Sequence, residues 1–114
     1  LMYTYNAKLV RVVDGDTVDL KIDLGFDIWI NERVRLKDID APEVRTRDLQ
    51  EKEKGLQAKA FVEEQFEKHG EDVIVHTIYN RGKYGRTIGD VEFDNGSKLS
   101  FMLLKTGNAK ESTQ

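Results

Sequence analysis

Cysteine is absent from this chain of 114 residues, so a disulfide framework, a thiolate metal centre and a thiol nucleophile are all excluded. Histidine is scarce: His69 and His76 have no third nitrogen or sulfur ligand near either, and zinc is not expected. Both read as structural, His69 at a helix end before Gly70 and His76 within a strand. No apolar run approaches the roughly 20 residues of a membrane span. Nor is there a surplus of positive charge. The formal net charge of -3 argues against coating nucleic acid through bulk electrostatics, which needs many phosphate contacts. No basic and apolar leader opens the chain, so localisation is open, with secretion or the cell envelope before processing as candidates.

What is present fits one compact domain over residues 1–114. Hydrophobic residues make up 39% and charged residues 34%, with both signs interspersed as on a soluble surface, and a monomer is expected. Internal repeats and interdomain linkers are not seen.

Strand signals fill the first half. Leu9 to Val13 reads as a strand entering a turn at Asp14-Gly15. Val18, Leu20, Ile22 and Leu24 alternate with Asp19, Lys21 and Asp23, the period of a half-buried strand. Gly25 turns the chain into Phe26, Ile28 and Ile30, and Asn31-Glu32 turns it again into Arg33 to Lys37. Arg45 to Lys54 reads as a mobile polar loop. Ala58, Phe61, Val62 and Phe66 then form one helical stripe ended by Gly70. Val73 to Tyr79 and Thr87 to Phe93 read as strands flanking a loop opened by Asn80-Arg81-Gly82, and Ser97 as the cap of a short helix through Lys105. Trp29 and Phe101 read as packing residues. Five strands, with a helix between the third and fourth, fit an α+β, mainly β fold: an OB-type five-stranded barrel with about two packed helices. From pattern alone an α+β sandwich competes with it.

Asp40-Ala41-Pro42-Glu43 places two carboxylates around the only proline, directly after a strand carrying Arg33 and Arg35. With Asp16 upstream and Lys83-Tyr84-Gly85-Arg86 downstream, the parts for metal-assisted phosphodiester hydrolysis are present: hard oxygen ligands, and arginines matched to phosphate oxygens. Alone, each has a plainer reading: Asp16 as a turn residue, Glu43 as a loop acid, Arg35 and Arg86 as surface charges, Tyr84 as a loop aromatic. Asp14 to Asp19 is not an EF-hand loop, because Val18 occupies its fifth position and no helices flank it. A local basic cluster of Arg33, Arg35, Lys37, Arg45 and Arg47, joined by Arg81, Lys83 and Arg86 if the two loops meet, would outweigh the negative net charge.

Val13-Asp14-Gly15-Asp16-Thr17, Arg35-Leu36-Lys37-Asp38-Ile39-Asp40-Ala41-Pro42-Glu43 and Lys83-Tyr84-Gly85-Arg86 resemble, in order and spacing, the three motifs of the thermonuclease-like (staphylococcal nuclease) domains. The resemblance runs from about Lys8 to Lys110 and implies the OB-type barrel. It also implies a Ca²⁺-dependent nuclease that cuts DNA and RNA, favours single strands and leaves 3′-phosphate ends. In that scheme Asp16, Asp40 and the Ala41 carbonyl hold Ca²⁺, Glu43 is the general base, and Arg35 and Arg86 bind the phosphoryl oxygens. Lys83 and Tyr84 grip the nucleotide. A non-catalytic nucleic-acid- or protein-binding module of the same fold is the alternative, and the presence of all five charged residues favours the enzyme. Ser100 and Asn108 depart from the residues common in the family. The chain also stops soon after Lys110, short of the C-terminal segment that carries tyrosines in longer members, so weaker nucleotide binding is expected.

Overall fold

Strand β1 (Met2–Asp14) is long enough to serve two neighbours. Its first part pairs antiparallel with β5 (Asp72–Arg81), from Met2↔Ile78 to Lys8↔Asp72, and its second with β2 (Thr17–Asp23), from Ala7↔Ile22 to Asp14↔Thr17. Register shifts between Leu9 and Arg11 and between Val12 and Asp14 bend it, as bulges do at barrel corners. In the computed structural model, which describes residues 2–81 and 85–112, β3 (Trp29–Leu36) continues the sheet from β2. It closes on β6 (Thr87–Glu92) through the parallel pairs Val34↔Thr87, Arg35↔Ile88 and Leu36↔Gly89. The result is a closed five-stranded barrel in the order β1-β2-β3-β6-β5, the OB-like architecture expected.

The inward faces follow the period of two. Val18, Leu20, Ile22, Val34, Leu36, Val75 and Val91 are buried inside the barrel wall. Helix α1 (Leu49–His69) lays Gly55, Ala58, Val62, Gln65 and Phe66 against it, and Phe66 meets Phe93 edge-on at 5.1 Å between ring centres. Gly70, with φ of 99°, ends the helix as expected. Helix α2 (Leu99–Lys105) adds Leu99 and Leu103 to the core. Among the described residues, no helix is long and apolar enough to cross a membrane.

Several expectations are corrected. Asn31 and Glu32 do not turn the chain; they lie inside β3, opposite Lys21 and Leu20. Phe26 is not in a strand but at the tip of the β2–β3 hairpin, where φ is positive and the ring is 98% exposed. Trp29 and Phe101 are exposed rather than packed, Trp29 lying under the Lys21 ammonium at 5.5 Å. The polar stretch from Arg45 is a loop only as far as Asp48, whose carboxylate caps α1 through the Gln50 and Glu51 amides. Asn80 and Arg81 belong to β5, so the loop opens later, and Gly82 lies outside the described residues. A two-residue strand, β4 (Ile39–Asp40), pairs with β7 (Lys110–Glu111). It is too short for a periodicity signal.

Ser97 does not cap α2. Buried Asp90 does so from β6, accepting the Ser100 amide at 3.1 Å and its own neighbour Val91 N–H at 2.9 Å, and taking the Ser100 hydroxyl on its other oxygen. The departure from the family at Ser100 thus has a local role, since its hydroxyl completes this cap. Asp90→Ala removes the acceptor from three donors in a dry site, and a loss of about 2–3 kcal/mol is expected. Urea unfolding should show a lower midpoint with an unchanged slope, while Asp90→Asn should lose less.

Candidate active site

Thr17 stands opposite Arg35 in the β2–β3 ladder, and the Leu36 amide donates to the Asp16 carbonyl at 2.8 Å. The entry to β2 and the exit of β3 are therefore one place in space. The chain then reverses at Lys37-Asp38, where Asp38 takes a φ of 61°, and returns as β4. Antiparallel pairing of Asp40 with Lys110, together with the Ser112 amide on the Asp38 carbonyl at 2.9 Å, fixes the returning backbone.

Arg35 sits at the centre of this fold-back, its side chain 13% exposed. Nη1 donates to the carbonyls of Leu36 at 3.0 Å and Ile39 at 2.8 Å. Nη2 bridges two carboxylates, hydrogen-bonding Asp40 Oδ1 and lying 3.4 Å from Asp16 Oδ2. Asp16 is 8% exposed and fully oriented: the Thr17 hydroxyl donates to Oδ1 and the Ala41 amide to Oδ2, each at 2.9 Å. Asp16 and Asp40 thus converge on one guanidinium, and the Ala41 amide holds Asp16 there.

Asp14 is the residue that the sequence expectation omits, and the Asp-Gly-Asp spacing was its signal. The Val44 amide, on the loop after Pro42, lies near enough to its carboxylate to favour the charged form. Burial first, and next the charge of Asp16, push its carboxyl above the usual range, against the pull of that amide, Lys59 and Arg45. Asp16 and Asp40 share one arginine, which leaves one negative charge unmatched there, and their donor atoms are hard oxygens of the kind a divalent cation prefers. Among the described residues no three acidic or histidine side chains converge as a ready-made cage. Asp16 and Asp40 are the side chains that could hold a metal here.

Glu43 is exposed on the loop between β4 and α1. Arg86 is half-buried with its Nε shielded from solvent, and it directly precedes β6, whose first residue Thr87 pairs with Val34 of β3. Lys83 and Tyr84 lie outside the described residues. The expected basic cluster is only partly assembled. Arg33 turns to the outer face and, with Arg11, grips Asp19, Nε to Oδ1 at 2.8 Å for Arg33 and Nε to Oδ2 at 3.0 Å for Arg11. His69 and His76 stand elsewhere, the latter 2.8 Å from Glu92 Oε1.

The sequence model of the staphylococcal nuclease homologue family matches residues 33–114, a span holding Arg35, Asp40, Glu43 and Arg86 but beginning after Asp16. An uncharacterized protein of Methanocaldococcus jannaschii is 30% identical over 93% of the chain and 58% of its own length. A protein named uncharacterized endonuclease from Escherichia coli is 31% identical over 91% of the chain and 59% of its length. Protein ParB of Escherichia coli is 36% identical over 75% of the chain and 40% of its length. The chain therefore spans about three fifths or less of these relatives.

Proposed function

Because this chain belongs to the staphylococcal nuclease homologue family, we propose that it is a Ca²⁺-dependent phosphodiesterase that cuts DNA and RNA, prefers unpaired strands, and leaves 3′-phosphate and 5′-hydroxyl ends. The convergence of Asp16 and Asp40, from opposite ends of the β2–β3–β4 fold-back, on Arg35 is the observation that carries this reading.

A phosphodiester resists attack because its anionic oxygens repel the nucleophile, so neutralisation and orientation are the principal tasks. Bound Ca²⁺ would supply Lewis-acid neutralisation of the phosphate and a more acidic water. Asp16 and Asp40 would hold the cation, and the Ala41 amide and Thr17 hydroxyl keep Asp16 in place. Glu43 takes a proton from the attacking water, a task that suits a solvent-facing carboxylate on a fixed loop. Arg35 and Arg86 take the phosphoryl oxygens on which charge builds. Arg35 does so by exchanging a carboxylate partner for phosphate, each of which offers a guanidinium a pair of anionic oxygens. Lys83 and Tyr84 grip the nucleotide, the phenol lying against a base face that only an unpaired strand presents freely.

Incubation of a 5′-labelled single-stranded oligodeoxynucleotide and its RNA counterpart with Ca²⁺ or with chelator tests the proposal. Cleavage with Ca²⁺ is expected, loss in chelator, and recovery on adding Ca²⁺ back. The downstream fragments should accept a 5′-phosphate from a kinase without prior dephosphorylation. Undiminished cleavage in chelator would remove the metal from the scheme. Binding without cleavage under every condition would replace the enzyme with the non-catalytic module.

A further inference from the structure

Helix α1 carries a glycine in its interior, where alanine has the higher helix propensity. Gly55 is buried, and what it meets explains the choice. A Cβ built there would lie 2.5 Å from the Glu43 carbonyl oxygen and 2.9 Å from that of Pro42, both closer than real contacts allow. One turn along, Ala58 packs in the same way. A Cβ on Gly15 would sit 2.7 Å from that of Ala58 and 2.9 Å from that of Ala41. The buried face of α1 is thus pressed against the backbone of the loop that bears Glu43, with no room for a methyl group.

We propose that Gly55 is a positioning residue for Glu43: by letting α1 approach to backbone contact, it sets the height of the Pro42-Glu43 peptide and hence where the Glu43 carboxylate stands relative to the attacking water. The inference rests on the reading of Glu43 as general base. The loop is seated from both sides. The next amide, Val44 N–H, lies near the Asp14 carboxylate, while α1 meets the carbonyls. A cavity of about 390 Å³ lies alongside, lined by Asp40, Ala41, Pro42, Lys54, Asn108 and Lys110. A methyl at position 55 is expected to displace the exposed loop by roughly 1 Å, and a displacement of that size costs up to about 100-fold in rate.

The test is a double-mutant cycle with Gly55→Ala and Glu43→Gln, assayed on a single-stranded oligodeoxynucleotide at saturating Ca²⁺. Gly55→Ala is expected to lower kcat about 10- to 100-fold, with KM within about 2-fold of wild type. In the Glu43→Gln background the same change should lower the residual rate by less than about 2-fold, since there is no base left to misplace. Wild-type kcat in Gly55→Ala, with Glu43→Gln strongly impaired, overturns the positioning role and leaves the base assignment standing. Equal losses in both backgrounds also overturn it, because Gly55 then acts on the fold at large. Wild-type turnover in Glu43→Gln removes the base assignment and this proposal with it. Should Gly55→Ala fail to fold, wild-type NMR decides: Overhauser contacts between the Gly55 α-protons and the Val44 amide are expected, and their absence overturns the seating.

Discussion

Asp40→Asn is expected to lower Ca²⁺ affinity at least about tenfold and to reduce cleavage by about 10³-fold at a Ca²⁺ concentration that saturates the wild type, equivalent to about 4 kcal/mol of transition-state stabilisation. A neutral amide is a poor ligand for a hard cation, and the substitution removes one of the two side chains proposed to hold it. The fold should survive. Asp40 is anchored by its backbone pairing with Lys110, its side chain is 38% exposed, and asparagine keeps an oxygen for the Arg35 Nη2 donor. Calorimetric titration with Ca²⁺, paired with a thermal melt, separates these claims. Wild-type Ca²⁺ affinity in the variant would remove Asp40 from the metal site.

Arg35→Ala carries the other large effect, in both activity and stability. Loss of the guanidinium leaves the Leu36 and Ile39 carbonyls without their donor and sets Asp16 and Asp40 against each other without an intervening cation. Breaking such a buried pair costs about 3–5 kcal/mol. A group that holds phosphate before and during the reaction affects both KM and kcat, so kcat/KM should fall by about 10³-fold or more. The same geometry predicts a compensation. Without Arg35 the two carboxylates face each other as like charges, so Ca²⁺ should raise the melting temperature of the variant more than that of the wild type. Equal Ca²⁺ shifts in the two proteins would mean that Arg35 and the cation do not share these carboxylates. Arg35→Lys should rescue neither activity nor stability fully, because one ammonium does not span two carbonyls and two carboxylates.

Much of this was legible in the chain, for physical reasons that differ from place to place. The alternation through Val18, Leu20 and Ile22 announced β2 because one face of a barrel strand is dry. The convergence of Asp16, Arg35 and Asp40 was legible because all three fall at strand ends, where motif residues are close in sequence to the turns that unite them. The hairpin tip was not. Leu24, Phe26, Ile28 and Trp29 look like core residues by composition, yet β2 and β3 project beyond the barrel there and expose them. Gly55 was hidden for the opposite reason, since a glycine among Glu, Lys and Gln resembles a loop, while its function depends on a backbone contact with residues twelve positions earlier. The Asp90–Ser100 cap joins a strand to a helix and leaves no periodic trace. Asp14 stood inside a motif, but only the fold shows that it is partly buried beside Asp16 and the Val44 amide.

The site's two halves differ in the length of chain that must be looped to form them. Asp16 and the Ala41 amide are 25 positions apart, whereas Val34 and Thr87, whose pairing delivers Arg86, are 53 positions apart. By closure entropy the longer loop costs only about 0.7 kcal/mol more than the shorter. That difference is too small to favour a species holding its acids without its second arginine. Neither half gains from forming first, and the parallel β3–β6 seam that unites them is also what closes the barrel. On the proposed reading, catalytic competence is therefore expected to be lost with the barrel itself: on heating, the fraction of active molecules should follow the fraction folded.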